Sequence, residues 1–252
     1  MEGGSQQLSS QKTIDSLQQQ IDELTREKQQ IISLVSHDIK GPLNRVFALV
    51  QLIQMEGDNL TDDQVSYLSK MHLVVADGLG MIRNLVDYRN LVYKRTVIIP
   101  EEMDLALVIR PVAQHYFTLA SKKNIQLFFE SPSSLMIQSD NHCVVRSVEN
   151  LISNAVKFSA EGKKVFVTLT SKPDGASISV RDEARGFTKD DQTKMFGKFQ
   201  KLSALPTSGE SATGLGLLIV KLMLDKIKGN LQYVTTEGVG SVFTMNLPLR
   251  IS

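Results

Sequence analysis

Apolar residues recur at alternating steps of three and four between positions 14 and 35: Ile14, Leu17, Ile21, Leu24, Ile31 and Val35, with Lys28 as the one polar break. This a-and-d spacing commits the stretch to a helix that buries one seam against a partner helix. Gln, Glu, Asp and Lys surround the seam over residues 9–35, and few breakers occur before Gly57. A short coiled coil is therefore expected to run straight into residues 33–45, where His37 stands beside Asp38. Counting on from Val35 places His37 off the seam, on an exposed face. A carboxylate next to a neutral imidazole can hold one ring proton and orient the other nitrogen for attack. The same pair is also ordinary on a solvated, charged helix face. Pro42 removes a helical hydrogen bond and predicts a bend just after the histidine.

Residues 57–60 read as a loop. Thr61 and Gln64 read as a capping box opening a second helix that runs to about residue 94. Its apolar set is Val65, Leu68, Met71, Val75, Leu79, Ile82, Leu85 and Val86. Two amphipathic helices in a hairpin leave an apolar face uncovered, and a second copy covers it as a four-helix bundle. A homodimer is the expectation.

At Val97-Ile98-Ile99-Pro100 the helical period stops, and residues 97–103 read as a hinge-like linker. Beyond it, Asp104 caps a helix with Leu105, Val108, Ile109, Val112 and Phe117 inward. Strands are expected at 125–130, 135–138, 165–171, 176–181, 229–235 and 241–247. Helices are expected at 141–158, near 190–196 and at 215–226. This is an α+β layer with helices on one sheet face, without the strict βαβ alternation of a Rossmann-type domain. The whole chain thus reads as multidomain. Residues 1–8 form an expression leader or disordered segment, 9–96 the helical hairpin, 97–103 the linker and 104–252 the α+β sandwich.

Composition narrows the function classes. The chain has 252 residues, 42% hydrophobic and 22% charged, with a net charge of +1. That balance gives no electrostatic case for nucleic acid or an anionic membrane. Cys143 is the single cysteine, which excludes an internal disulfide and a Cys-rich zinc site and fits a reducing, cytoplasmic compartment. No apolar run reaches the roughly 18 residues of a membrane span. Any sensor or membrane anchor lies outside these residues.

Four local patterns carry chemistry. Asn150 and Asn154 stand at i and i+4, with Lys157 three further, so two amides and an ammonium share one helix face. Amide oxygens can hold magnesium, and an ammonium can meet phosphate. Asp182 ends a strand, where its carboxylate can accept from an exocyclic amine. Phe196 and Phe199, in Met195-Phe196-Gly197-Lys198-Phe199-Gln200-Lys201, are expected to pack. Gly214 and Gly216 open a helix whose amides can face phosphate, after a polar stretch at 203–211 that is expected to be mobile. Each pattern alone is also an ordinary polar helix face, strand exit or flexible loop.

Together the patterns resemble the sensor histidine kinases of two-component systems. Ser36-His37-Asp38-Ile39-Lys40-Gly41-Pro42-Leu43 is similar to their H-box, Asn150–Phe158 to the N-box, and Asp182-Glu183-Ala184-Arg185-Gly186-Phe187 to the G1 box. Residues 195–201 are similar to the F-box, and Thr213-Gly214-Leu215-Gly216-Leu217 to the G2 box. The resemblance covers roughly residues 30–250 and implies a histidine kinase/Hsp90-like ATPase fold behind a dimerisation hairpin. It implies His37 as phosphoacceptor, Asp38 as general base, and transfer to an aspartate on a response-regulator receiver domain. ATP would be bound by Asn150, Asn154, Lys157, Phe158, Asp182, Ala184, Gly186, Lys201, Thr213, Gly214, Leu215 and Gly216, with Asn154 holding Mg. Two departures stand out. Ala184 replaces a glycine, which would strain any left-handed backbone there and leaves a non-catalytic dimeric scaffold as the alternative. Gly41 replaces the Thr or Asn that helps a water dephosphorylate the partner, so phosphatase activity is expected to be weak. A different ATPase of the same fold, such as a chaperone or mismatch-repair type, fits the hairpin poorly.

Overall fold

The computed structural model describes residues 2–57, 59–93, 96–200, 202–207 and 209–251, the side chains of 2–13, Gln29 and Val35 aside. It divides into two compact units, Met1–Arg89 and Asn90–Ser252. The first is a helical hairpin. Helix α1 runs Glu2–Glu56 with Pro42 inside it, and α2 runs Asp62–Val92. Helix therefore begins at Glu2, ahead of the expected start at residue 9. The capping box at Thr61 forms: its N–H donates to Gln64 Oε1 at 2.9 Å, and Gln64 N–H donates to Thr61 Oγ1 at 3.3 Å. Asp58 in the expected loop and Lys94 at the expected helix end lie outside the described residues. Within the hairpin, Val50, Leu68 and Val75 are buried. Ile14, Leu17, Ile21, Leu24 and Ile31 of the seam all stay exposed on the single chain.

The second unit opens with a difference from expectation. Residues 101–103 are not linker: strand β1 (Glu101–Asp104) pairs antiparallel with β3 (Met136–Ser139). Asp104 then caps α3 (Leu105–Lys122), accepting from Ala106 N–H at 2.9 Å, and the same oxygen takes Leu135 N–H at 3.0 Å. The Leu135 N–H leads the hydrogen bonds that hold the Asp104 carboxyl below the ordinary range. Helix α3 buries Leu105, Ala106, Ile109, Ala113 and Ala120, whereas Phe117, expected inward, is exposed.

Strands β2 (Gln126–Glu130), β4 (Lys164–Lys172), β5 (Gly175–Asp182), β6 (Asn230–Thr236) and β7 (Gly240–Pro248) form one sheet in the order β2-β4-β5-β7-β6. β2 and β4 are parallel, the remaining pairs antiparallel. Helix α4 (Asn141–Phe158) packs between α3 and α6 (Gly216–Lys226), and a short α5 (Lys189–Lys194) precedes the loop leading to α6. The core lies between the helices and one sheet face, where Ile109, Val144, Ile152, Val165, Ile178, Ile219, Leu224 and Met245 are fully shielded. Each such aliphatic side chain contributes about 1.5–3 kcal/mol. Asp140 anchors this layer twice over: one oxygen caps α4 through Cys143 N–H at 2.8 Å, the other accepts Ile99 N–H at 2.9 Å. Cys143 itself is a buried packing residue.

Candidate functional site

In the hairpin, His37 and Asp38 project from α1 into water. The His37 side chain is 90% exposed, and its Nδ1 lies 3.1 Å from Asp38 Oδ1. A carboxylate there accepts the Nδ1 proton and leaves the Nε2 lone pair facing solvent. Gly41, one turn on, has open space: a Cβ would meet nothing closer than the tip of Arg45 at 4.0 Å. A glycine before Pro42 also relieves the steric restriction that a proline places on the preceding residue in a helix.

In the second unit, α4 presents Asn150 and Asn154 side by side, and the first turn of α6 comes against them. A Cβ on Gly216 would touch Asn154 Nδ2 at 3.5 Å and the Oδ1 atoms of Asn150 and Asn154 at 3.6 Å. The bare glycine leaves that cradle open. Asn150 is buried and donates through Nδ2 to Arg146 O at 3.0 Å, which orients its amide and leaves Oδ1 toward the cradle. Two amide oxygens converging on a space that a methyl group would fill suit a small, hard, oxygen-seeking cation such as Mg²⁺. Phe158 ends α4, half-buried.

Asp182 closes β5 and belongs to a second cluster. Its Oδ1 accepts Ala184 N–H at 3.0 Å and, from the adjoining strand β7, Ser241 N–H at 3.1 Å. Burial pushes this carboxyl above the ordinary carboxylate range, more than the two N–H donors lower it. The backbone around it is crowded. A Cβ on Gly186 (φ +69°) would collide with Thr236 O at 2.3 Å, and one on Gly240 (φ +140°) with Asp182 O at 2.1 Å. Glycine is required at both. Ala184 is not among the residues with positive φ, so its backbone carries no left-handed strain. The site takes the left-handed turn at Gly186 instead. Thr235 completes the cluster: its Oγ1 takes Phe187 N–H at 3.0 Å and lies 2.9 Å from Ser241 Oγ. Ser241 and Thr235 were not foreseen as part of the site, and the Gly238–Gly240 pair was the available signal.

The loop from 202 to 215 joins the clusters to α6. Its start is fixed by Asp191 of α5, whose two oxygens accept the N–H and the hydroxyl of Ser203. Burial raises the Asp191 carboxyl, but these bonds and those from Thr188 outweigh it and hold the group below the ordinary range. Thr207 N–H donates to Lys157 O at 3.1 Å and its hydroxyl to Ser159 O at 2.8 Å, while the Lys157 ammonium donates to Ser211 O. Gly214 (φ +66°) presses on the Gln200 backbone, where a Cβ would come within 2.4 Å of Gln200 O. Thr213 Oγ1 accepts Leu215 N–H at 3.3 Å, and the Leu215 side chain is buried in the core. Ser203, Thr207 and Ser211 of the stretch expected to be mobile thus each take part in a hydrogen bond to the flanking elements. Phe196 packs as expected, its ring 5.9 Å from that of Tyr233, but Phe199 is exposed with φ +54°. Lys201 lies outside the described residues. α4 packs on β5, although no described contact joins Asp182 directly to the two amides.

Residues 139–251 match the family described as histidine kinase-, DNA gyrase B-, and HSP90-like ATPase. Two cradling amides and a buried carboxylate thus lie within an ATPase domain of that class. The wider chain is similar to the sensor protein EvgS of Escherichia coli K12, 25% identical over 90% of this chain and 19% of the relative. It is likewise similar to the sensor-like histidine kinase SenX3 of Mycolicibacterium smegmatis, 24% identical over 88% of this chain and 57% of the relative. The chain therefore spans about a fifth to somewhat over half the length of these relatives. Among solved structures it shares the fold of full-length ShkA in complex with AMPPNP (TM-score 0.65, 24% identity, 88% of this chain and 46% of that one). The Acinetobacter baumannii histidine kinase AdeS has the same fold (TM-score 0.57, 18% identity, 84% of this chain and 98% of that one). Over most of its length the chain is thus similar to sensor histidine kinases, and its second unit carries the ATPase domain. Among the described residues, no helix is long and apolar enough to cross a membrane.

Proposed function

We propose that the chain phosphorylates itself on His37 from ATP and passes the phosphoryl group to an aspartate on a response-regulator receiver domain, working as a homodimer. The observation that carries this reading is the state of His37: an imidazole standing in water with one nitrogen engaged by Asp38 and the other open. Asp38 holds the Nδ1 proton, so Nε2 is the nucleophile toward the γ-phosphorus. Phosphoryl transfer needs in-line placement and charge neutralisation more than covalent help from the protein. Asn154, with Asn150 beside it, would hold Mg²⁺, and the ion would supply charge neutralisation to the phosphate oxygens. Lys157 adds an ammonium, and the amides near Gly214 and Gly216 at the α6 N-terminus add oriented N–H dipoles. Asp182 accepts from the adenine amino group, and Ala184 and Gly186 shape the backbone beside it. The complex of ShkA with AMPPNP supports a nucleotide in this fold. The exposed stripe from Ile14 to Ile31 supports the dimer, since a second copy would cover it. With Gly41 offering no side chain to position a water, phosphatase activity toward the partner is weak.

The test uses γ-labelled ATP. Wild-type protein takes up label that is acid-labile and alkali-stable, and a receiver domain removes it. His37→Gln abolishes that label. Acid-labile label persisting in the variant overturns the assignment.

A further inference from the structure

Lys123 plays no part in the motifs above, yet it ties the nucleotide helix to the loop that follows. It stands just past α3, and its Nζ reaches the C-terminal end of α4. There it donates to Val156 O at 3.0 Å, to Lys157 O at 3.2 Å and to Glu210 Oε1 at 3.0 Å. The ammonium has three protons and three acceptors. Two acceptors are last-turn carbonyls of α4, which no helical N–H can satisfy and where the helix dipole favours a cation. The third is a carboxylate on the loop. The pair is well shielded, with side chains 15% and 21% exposed, so it is screened far less than a surface ion pair.

Lys157 is engaged by the same loop at both ends. Its carbonyl accepts from Thr207, and its ammonium donates to Ser211 O. If that ammonium is to meet a nucleotide phosphate, it must leave Ser211. The Lys123–Glu210 pair uses none of the groups assigned to nucleotide and does not have to break with it. We propose that Lys123 is a positioning residue of the nucleotide site. By clamping Glu210 to the end of α4, it keeps Thr207 and Ser211 beside Lys157 while that ammonium exchanges a loop carbonyl for phosphate. The loop then stays over the bound nucleotide and slows its release. This rests on reading the second unit as the nucleotide site.

The full chain is compared with Lys123→Met, Lys123→Arg, Glu210→Gln and the Met/Gln double variant. In nucleotide-free protein, amide hydrogen exchange across 203–211 is expected to rise about tenfold in Lys123→Met, because of the three hydrogen bonds lost the charge-assisted one to Glu210 is the one that holds the loop. It is expected to rise less in Glu210→Gln, whose amide still accepts, and to stay near wild type in Lys123→Arg. The effect of the double variant should fall short of the sum of the two single effects, because both remove the Lys123–Glu210 pair. Release of AMPPNP with Mg²⁺ should quicken by a similar factor in Lys123→Met, with association and melting temperature little changed. Unaltered loop exchange in both Lys123→Met and Glu210→Gln overturns the clamp. Faster exchange with unaltered release overturns its role toward nucleotide, and additive effects in the double variant overturn the pairing. Wild-type protein that fails to bind AMPPNP sinks the nucleotide reading instead, and the exchange arm still decides the clamp.

Discussion

The hairpin and the ATPase domain solve the problem of apolar surface in opposite ways. Among the described residues of the hairpin, Val50, Leu68 and Val75 are buried, while Leu24 is 65% exposed, Leu49 59% and Val74 72%. In the ATPase domain, Ile109, Ile152, Val165, Ile178, Ile219 and Met245 have no exposure at all. One unit carries its hydrophobic partner within itself. The other leaves its apolar side chains exposed on the single chain, and as the proposed homodimer its stability would depend on the concentration of a second copy.

The largest effect that can break this contrast is at the hairpin surface. Val46→Asp places a charge on the exposed apolar face of α1, and burying an unpaired carboxylate in a bundle interface is strongly unfavourable. Sedimentation at micromolar concentration should show dimer for the wild type and monomer for the variant, while heat unfolding of the ATPase domain is unchanged. A variant that remains dimeric removes the hairpin as the interface.

A smaller effect sharpens the contrast inside the ATPase domain, where the site is less settled than the core. Burial raises the Asp182 carboxyl, so the folded state holds that proton to higher pH than the unfolded chain does, and ionisation costs stability as pH rises through the raised value. Asp182→Asn keeps an oxygen for the Ala184 and Ser241 N–H groups and removes the charge. The variant should gain on the wild type in urea unfolding at pH 7, with the gain vanishing below pH 4, while nucleotide binding is lost. Equal stability differences at both pH values would show that burial of the charge is not the cause. The smallest effect is local to the hairpin turn: Thr61→Ala should cost about 1 kcal/mol, measured at fixed protein concentration by denaturant unfolding.

Much of this was legible in order along the chain. The four-residue spacing of Asn150 and Asn154 announced two amides on one face, Thr61 and Gln64 announced a cap, and Asp104 announced the start of α3. Those are local signals, set by periods and by side chains reaching a few residues. What stayed hidden depends on contacts across sequence. Residues 101–103 read as linker because Glu101-Glu102 carries no apolar alternation, yet their partner strand lies 38 positions on at Ser139. Phe117 fits the helical period but falls outside the face that packs on α4. The strain feared at Ala184 was assigned to the wrong residue, since a motif gives a glycine without its φ. Lys123 gave no warning because its three acceptors come from two other elements.

The Asp182 carboxylate leans on an N–H that arrives 59 residues later, at Ser241. On the ribosome, the cluster around Asp182 stays unfinished until the β6–β7 hairpin has emerged and paired. A nascent chain halted after α6 already owns Asn150, Asn154, Gly214 and Gly216, but it lacks the strand that steadies Asp182. The Asp182 cluster is a property of the finished sheet, not of the strand that carries the acid.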